Sequence, residues 1–226
     1  MTTIAVIGSG HVGGTVARLS AAAGYDVVLS NSRGPETLKD LVDELGPKAR
    51  AATSAEAAAS GDLVVVSIPL TAYRRIPVEP LGGKPVLDTG NYSPRRDGQF
   101  PRLDDASTTS SELLQQHLPT SKVIKVFNNI LFRHLGTLAR PSGAADRSAL
   151  PIAGDDDAVK KAVTAFLDTI GYDTVDAGPL AEGWRLQPGT PVYGRPYAGG
   201  SADFWASPGV PAGSATIRTA LEAAER

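Results

Sequence analysis

The feature that most constrains the fold is a glycine-rich turn close to the start of the chain. An apolar run from Ile4 to Ile7 ends at Gly8, and the glycines follow the spacing Gly8-x-Gly10-x-x-Gly13. Apolar residues then recur at helical intervals, at Val12, Val16, Leu19 and Ala23. A strand, a tight turn and a helix in this order form the context in which this spacing is typical of dinucleotide binding. The stretch therefore predicts a nucleotide-binding turn.

Each glycine has a separate task in such a turn. Gly8 allows the chain to turn sharply, Gly10 lets the backbone approach a pyrophosphate, and Gly13 lets the helix pack close to its strand. The N-terminus of the helix offers unpaired N–H groups and a positive dipole end to the phosphates. His11 lies inside the turn. Its ring either reaches a phosphate or the bound ring, or belongs to a half-exposed turn residue.

Strand and helix patterns alternate along the rest of the chain. Strands are predicted at 26–30, 49–52, 62–67, 85–88, 122–126, 150–153 and 173–176, and helices at 35–45, 53–59, 110–118 and 155–170. This alternation indicates a parallel sheet covered on both faces. We predict an α/β fold with a Rossmann-type, doubly wound, mostly parallel sheet and a small C-terminal extension. The predicted domain boundary gives a dinucleotide-binding domain at 1–182 and an extension at 183–226 packed on it.

The segment from Gln187 to Ser214 differs in composition from the rest of the chain. It contains five prolines and six glycines, yet also Tyr193, Tyr197, Phe204 and Trp205. Disordered linkers are poor in aromatic residues, so the composition indicates an ordered loop. The loop is either a strap over the core, a subunit contact, or a lid over a ligand pocket. A short helix around Ile217 is predicted to follow it.

Composition and charge exclude several classes of function. The chain of 226 residues has a net charge of −2, which gives no reason to expect a nucleic-acid partner. It has no cysteine, and its three histidines show no metal-ligand spacing, so we expect no metal site. The apolar stretch 63–70 is far shorter than the ~20 residues of a membrane span. We expect a cytoplasmic protein without a signal peptide or membrane contact.

The loop after the second predicted strand distinguishes the two nicotinamide cofactors. An NAD site usually has an acidic residue about 20 residues past the first glycine. This chain has Asn31, Ser32 and Arg33 there, with no carboxylate before Glu36. Asn31 and Ser32 are able to donate to a phosphate, and the Arg33 guanidinium offers it a fixed fork of donors. The loop therefore favours NADP; the alternative is a polar loop with a solvated arginine.

Several short motifs together resemble the F420-dependent NADP oxidoreductases (NADPH:F420 reductases). The resemblance covers residues 3–182. Its motifs are Gly-Ser-Gly-His-Val-Gly at 8–13, Ser-Arg at 32–33, Val-Val-Val-Ser-Ile-Pro-Leu at 64–70, Lys-Val-Phe-Asn-Asn at 125–129, Ala-Gly-Asp-Asp-Asp at 153–157 and Asp-Ala-Gly-Pro-Leu at 176–180. Their order and spacing are more specific than any one of them.

The resemblance implies an enzyme, dimeric in most members, that moves hydride between NADPH and a deazaflavin, coenzyme F420. It implies that Ser9, Gly10, His11 and Val12 lie along the pyrophosphate and that Ser32 and Arg33 take the 2′-phosphate. By the same resemblance, further cofactor contacts come from Ile68, Pro69, Leu70, Asn128 and Asn129. Beyond Leu180 the chain departs from the family, whose C-terminal stretch continues as an apolar helix beside the deazaflavin. The departure leaves the electron acceptor open.

Three functions remain possible from the sequence. They are F420 reduction, reduction of a flavin or a small carbonyl or imine compound, and non-catalytic NADP binding by a regulatory protein. Hydride transfer needs few reactive side chains because the cofactor supplies the chemistry, and no catalytic residue is assigned.

Five other polar residues are candidates for the cleft, and four of them have two possible interpretations. Asn91 follows a strand end and is predicted near the cleft. Arg95 and Arg96 either meet an anionic acceptor or form an exposed basic turn. Arg133 and His134 either touch substrate or lie on a solvated helix face.

Overall fold

The computed structural model describes residues 2–226. Contacts divide the chain into two compact units, the first ending at Val123 and the second running from Ile124 to Arg226. The segment 183–226 packs within the second unit, and the predicted domain boundary at residue 182 stays a prediction.

The described part of the first unit contains five parallel strands flanked by helices. The strands are β1 (Thr3–Ile7), β2 (Asp26–Ser30), β3 (Ala49–Ala51), β4 (Leu63–Val66) and β5 (Pro85–Asp88). Their order is β3-β2-β1-β4-β5, and each neighbouring pair is parallel. The sheet grows in one direction from β1 through β2 and in the other through β4. This is the doubly wound arrangement, with its topological switch point between β1 and β4.

The helices of the first unit follow the predicted alternation. They are α1 (His11–Ala22), α2 (Lys39–Leu45), α3 (Ser54–Ser60), α4 (Pro94–Asp97), α5 (Pro101–Asp104) and α6 (Ser110–His117), with 3₁₀ helices at Pro35–Leu38, Leu70–Arg75 and Glu79–Leu81. Thr53 and Thr109 begin α3 and α6 with capping boxes, in which each threonine accepts from the backbone three residues on. The stretch 89–109 contains the two short helices α4 and α5.

The second unit continues the alternation with longer connections. Its elements are β6 (Lys122–Lys125), which straddles the division between the units, β7 (Ala149–Gly154), β8 (Asp173–Asp176), α7 (Phe132–Thr137), α8 (Asp157–Thr169) and α9 (Ser214–Glu222). β7 and β8 are parallel, whereas Ile124 and Lys125 of β6 pair with β7 antiparallel. Asp156 caps α8 by accepting from the Val159 N–H at 3.0 Å. The predicted α/β fold with a mostly parallel, Rossmann-type sheet is confirmed.

The proline- and glycine-rich tail is an ordered strap over the core of the second unit. Val192 and Tyr197 are fully buried within it. The Gly194 N–H donates to the Asn129 carbonyl at 2.8 Å, and the Ala149 N–H at the start of β7 donates to the Ala212 carbonyl at 2.8 Å. Of the four aromatic residues of the tail, Tyr197 is the one that is fully buried, and it joins Val192 in anchoring the tail to the core. The segment 180–186, where the sequence leaves the family pattern, forms a 3₁₀ helix.

Two kinds of feature are absent from the described residues. No helix within residues 2–226 has both the length and the apolar character needed to cross a membrane. Over the same residues there is no group of three or more His, Cys, Asp or Glu side chains arranged to hold a metal ion.

Removing the buried hydroxyl of Tyr197 is expected to loosen the strap. This hydroxyl donates to the Ala149 carbonyl at 2.9 Å and accepts from the Asn129 amide at 3.2 Å. Tyr197→Phe leaves both groups with one partner fewer, and we expect a loss of about 1–3 kcal/mol in the free energy of unfolding. Chemical denaturation measures it. Val210→Ala, in an exposed part of the same tail, is the control and should change stability by less than about 0.5 kcal/mol. Equal stability of both variants would contradict the strap.

Candidate cofactor-binding site

A cleft in the first unit opens at the carboxyl ends of the strands on either side of the switch point. Its volume is about 690 Å³, which suits a ligand pocket. Three segments form most of its wall: the turn after β1, the loop after β2 and the segment after β4. The lining residues are Ile7, Gly8, Ser9, Gly10, Asn31, Ser32, Arg33, Ser54, Ser67, Ile68, Pro69, Ala72, Arg75 and Ile76. Open α/β sheets bind their ligands at this position.

The glycine turn is fixed by backbone contacts that leave no room for side chains. Gly8 has a φ of +100°, and a Cβ added there would lie 2.2 Å from the Ser67 carbonyl oxygen. A Cβ added at Gly13 would lie 2.0 Å from the Gly8 carbonyl oxygen. Gly8 thus permits the turn, and Gly13 permits α1 to pack against it.

Gly10 has a different role, because the space into which a side chain would project from it is open. A Cβ built on Gly10 meets no described atom within 4 Å. Gly10 lines the cleft directly before the first residue of α1, at the end of a helix where backbone N–H groups have no partners within the helix itself. The open space beside a helix N-terminus matches what a pyrophosphate needs, so the turn fits a dinucleotide.

The loop after β2 is shaped by the Asn31 side chain. Its Oδ1 accepts from the Arg33 and Gly34 backbone N–H groups at 2.9 and 3.0 Å. Its Nδ2 donates to the Thr37 hydroxyl at 2.8 Å. The Asn31 amide therefore holds the turn, and it leaves Ser32 and Arg33 exposed at the edge of the cleft.

The cleft contains cationic groups and no anionic ones. Arg33 and Arg75 line it, and its lining residues include neither aspartate nor glutamate. In the part of the chain that the structure describes, neither guanidinium forms a hydrogen bond or an ion pair. The electrostatic field of such a cleft favours an anionic ligand.

The wall formed by the 3₁₀ helix Leu70–Arg75 is anchored by a buried carboxylate. Asp88, at the end of β5, is fully buried and accepts from the Tyr73 hydroxyl at 2.9 Å. It also accepts from the Gly90 N–H at 2.8 Å and the Ser111 hydroxyl at 2.7 Å. Burial, together with the adjacent Asp88 charge, raises the pKa of the Tyr73 phenol well above its ordinary value. Tyr73 therefore stays a neutral donor that ties the helix to the sheet.

Comparison with known proteins finds one family whose model matches the segment that contains the cleft. Residues 3–92 match the family described as coenzyme F420-dependent NADP oxidoreductase, and every residue that lines the cleft falls within that match. The resemblance inferred from the motifs is confirmed, and the family description supports the predicted class, an NADP-dependent oxidoreductase.

Three individual proteins are similar to the chain. The crystal structure of the hypothetical protein SMa0349 from Sinorhizobium meliloti has a TM-score of 0.73 and 28% identity, covering 85% of this chain and 93% of that one. A protein from Arthrobacter sp. FB24, provisionally described as an F420-dependent NADP-reductase, has a TM-score of 0.67 and 29% identity, covering 79% and 86%. Protein YjhV of Escherichia coli (strain K12) is 40% identical over 53 residues, which are 24% of this chain. The matched part spans only 39% of YjhV.

The structure brings most of the predicted first-unit residues into the cleft of this family segment. Those that line it are Gly8, Ser9, Gly10, Asn31, Ser32, Arg33, Ile68 and Pro69. His11, Val12 and Gly13 follow directly in the first turn of α1, with His11 exposed. Leu70 is buried rather than lining the cleft. Asn91 lies beyond β5, where its carbonyl accepts from Arg96. Contact of these residues with a cofactor stays a prediction.

Asn128 and Asn129 lie in the second unit, where their side chains hold the tail. The Asn128 Nδ2 donates to the Leu186 carbonyl at 2.7 Å. The Asn129 Nδ2 donates to the Val192 carbonyl at 3.1 Å. Both residues are buried, and both amide nitrogens serve the C-terminal segment. Their predicted part in cofactor binding stays a prediction.

The remaining polar candidates have structural partners. Arg96 pairs with Asp97 at 2.8 Å, and both Arg95 and Arg96 are exposed. His134 is buried, and its Nε2 lies 3.0 Å from the Ser207 carbonyl oxygen. The expectation of a solvated helix face is wrong for His134, because the tail covers it. Arg133 donates to the Trp205 carbonyl.

Six lining residues were not among the predicted site residues: Ile7, Ser54, Ser67, Ala72, Arg75 and Ile76. Two of them, Arg75 and Ser54, are polar residues that lie outside every motif singled out in the sequence. Arg75 ends the 3₁₀ helix after β4, and Ser54 begins α3. The signal for Arg75 is present in the sequence, because residues three apart share one face of a 3₁₀ helix. Pro69, Ala72 and Arg75 follow that spacing, and all three line the cleft. This three-residue spacing is informative only when the segment after Pro69 is known to be a 3₁₀ helix.

Substitution of two glycines separates folding from binding. Gly13→Ala places a methyl group against the Gly8 carbonyl, so we expect clear destabilisation and a lowered unfolding midpoint. Gly10→Ala meets no protein atom, so the protein should stay folded while the methyl group occupies space that a pyrophosphate requires. Thermal unfolding and NADPH titration measure the two effects. A Gly10→Ala protein that binds NADPH as tightly as the wild type would contradict the placement of the pyrophosphate.

Proposed function

We propose that the protein is an NADPH-dependent oxidoreductase that transfers hydride directly between NADP(H) and a deazaflavin of the F420 type. The observation that carries the proposal is the cleft itself. It combines an open glycine turn at a helix N-terminus with an unpaired arginine after β2 and has no carboxylate in its lining. An acidic residue after β2, which would accept from the ribose of NAD, is missing from that lining.

Each part of the cofactor has a matching segment in this proposal. The backbone of Gly8, Ser9 and Gly10 holds the pyrophosphate, with the N-terminus of α1 supplying positive dipole charge. Ser32 and Arg33 hold the 2′-phosphate through a hydroxyl and a guanidinium fork. Ile68 and Pro69 line the ribose and nicotinamide side. When bound, the nicotinamide supplies the hydride.

The side chains of the cleft position and shield the reacting rings. Hydride transfer depends on the alignment of donor and acceptor and on the exclusion of water more than on reactive side chains. The Tyr73 contact with Asp88 fixes one wall of the cleft, and the Ile68 side chain covers Gly8, since an added Cβ there would lie 2.6 Å from the Ile68 Cγ2. The protein therefore contributes to the reaction by providing a rigid surface that aligns the reacting rings and shields them from water.

The identity of the hydride acceptor is the more specific part of the proposal. The family name supports F420, while the chain beyond residue 92 lies outside the family match. A flavin or a small carbonyl or imine compound is the second candidate acceptor. The resemblance also supports a cytoplasmic homodimer as the working form.

Replacing Arg33 tests the cofactor assignment. Arg33→Ala removes the cation at the 2′-phosphate, so we expect the Kd for NADPH to rise about tenfold or more, with little change for NADH. Fluorescence titration with both cofactors measures it. Arg74→Ala is the matched control, since Arg74 is exposed and absent from the cleft lining. An unchanged preference for NADPH over NADH in Arg33→Ala would contradict the assignment of Arg33 to the 2′-phosphate.

A panel of acceptors tests the reaction. Purified protein is mixed with NADPH and, in separate reactions, with oxidised F420, a flavin, and carbonyl and imine compounds. Loss of the oxidised F420 absorbance at the rate of NADPH consumption is the expected result. Turnover with another acceptor alone identifies the second candidate. Tight NADPH binding without turnover of any acceptor would indicate a regulatory NADP-binding protein.

A further inference from the structure

The strongest unassigned feature of the cleft is Arg75. It lies at the end of the 3₁₀ helix Leu70–Arg75, and the spacing of Pro69, Ala72 and Arg75 puts all three on the wall of the cleft. Tyr73 fixes this helix from its buried side through Asp88. The backbone that carries Arg75 is therefore held by the sheet, although the arginine side chain itself is exposed.

Arg75 is one of two cations that share a single concave surface. An unpaired arginine on an open surface is solvated and needs no ligand. Arg33 and Arg75 instead line one cleft without a carboxylate, and over residues 2–226 neither has a hydrogen-bond or ion-pair partner. Two cations that line one cleft without a carboxylate make that cleft favourable for an anionic ligand.

The groups after β2 alone provide little charge for a phosphate. A phosphate monoester carries about −1.5 to −2 charges at neutral pH. Asn31 has committed its amide to Thr37 and to the backbone of the loop. What remains in that loop is the Ser32 hydroxyl and one guanidinium, so one further cation completes the neutralisation. Arg75 is the only other cation among the described lining residues.

We propose that Arg75 is the second cation of the 2′-phosphate subsite and a determinant of NADP specificity. The inference rests on the proposed function, because it requires that the cleft bind NADP(H). It differs from that proposal in assigning recognition of the 2′-phosphate to two elements, the loop after β2 and the 3₁₀ helix after β4. Guanidinium groups suit this task because their donors form a planar fork.

The test uses 2′,5′-ADP, which carries the 2′-phosphate without the nicotinamide, and 5′-AMP, which lacks that phosphate. Calorimetric titration of the full chain gives the Kd of each for wild type, Arg75→Ala, Arg75→Lys and Arg33→Ala. Arg74→Ala, one residue away on the same helix and outside the cleft lining, is the matched control. Thermal unfolding without ligand establishes that the variants are folded.

We expect Arg75→Ala to weaken 2′,5′-ADP binding about tenfold or more and to leave 5′-AMP binding nearly unchanged. Arg75→Lys should restore part of the affinity because it keeps the charge, and Arg74→Ala should bind like the wild type. The salt dependence of 2′,5′-ADP binding should become shallower in Arg75→Ala, since one cation is lost.

Two results would overturn the inference alone. One is wild-type affinity of Arg75→Ala for 2′,5′-ADP. The other is equal weakening of both nucleotides, which would assign Arg75 to the adenine ring or its ribose. Failure of the wild type to bind either 2′,5′-ADP or NADPH would instead overturn the proposed function. The two failures are therefore distinguishable.

Discussion

The contact between Gly8 and Gly13 is the constraint on which the candidate site depends. Because Gly13 has no side chain, α1 approaches the Gly8 carbonyl so closely that an added Cβ would lie 2.0 Å from it. This approach aims the N-terminus of α1 at the carboxyl edge of the sheet, between β1 and β4. The small residues Gly14, Thr15 and Ala17 continue the buried face of the helix. The anion-binding end of the site thus follows from packing in the core.

The opposite wall of the cleft depends on a buried charge. Asp88 is removed from water, and such a carboxylate is tolerated only when hydrogen bonds replace its hydration. It accepts from Tyr73, Gly90 and Ser111, which lie on separate segments. The same bonds that satisfy the carboxylate also fix the 3₁₀ helix after β4. Close backbone packing therefore fixes one wall of the cleft, and the hydrogen bonds that Asp88 accepts fix the other.

The sequence predicted the fold and the glycine turn well because both depend on local patterns. Strand periodicity, the spacing of Gly8, Gly10 and Gly13, and the absence of an acid after β2 are all visible without tertiary structure. Arg75 was missed because its position depends on a 3₁₀ helix that periodicity does not reveal. The partners of Asn128, Asn129 and His134 lie 58 to 73 residues away in the tail. No local pattern specifies contacts of that range.

The family match and the cleft both lie in the first part of the chain. The residues that suit a dinucleotide are therefore separate in sequence from the tail. The last residue that lines the cleft is Ile76, and the family match ends at Tyr92. The groups that suit a dinucleotide are therefore encoded in one continuous N-terminal stretch. The second unit contains the strap, in which the buried Tyr197 hydroxyl accepts from Asn129 and donates to the Ala149 carbonyl of β7. Because the cleft lining ends at Ile76, the residues of the tail are not among those that line it.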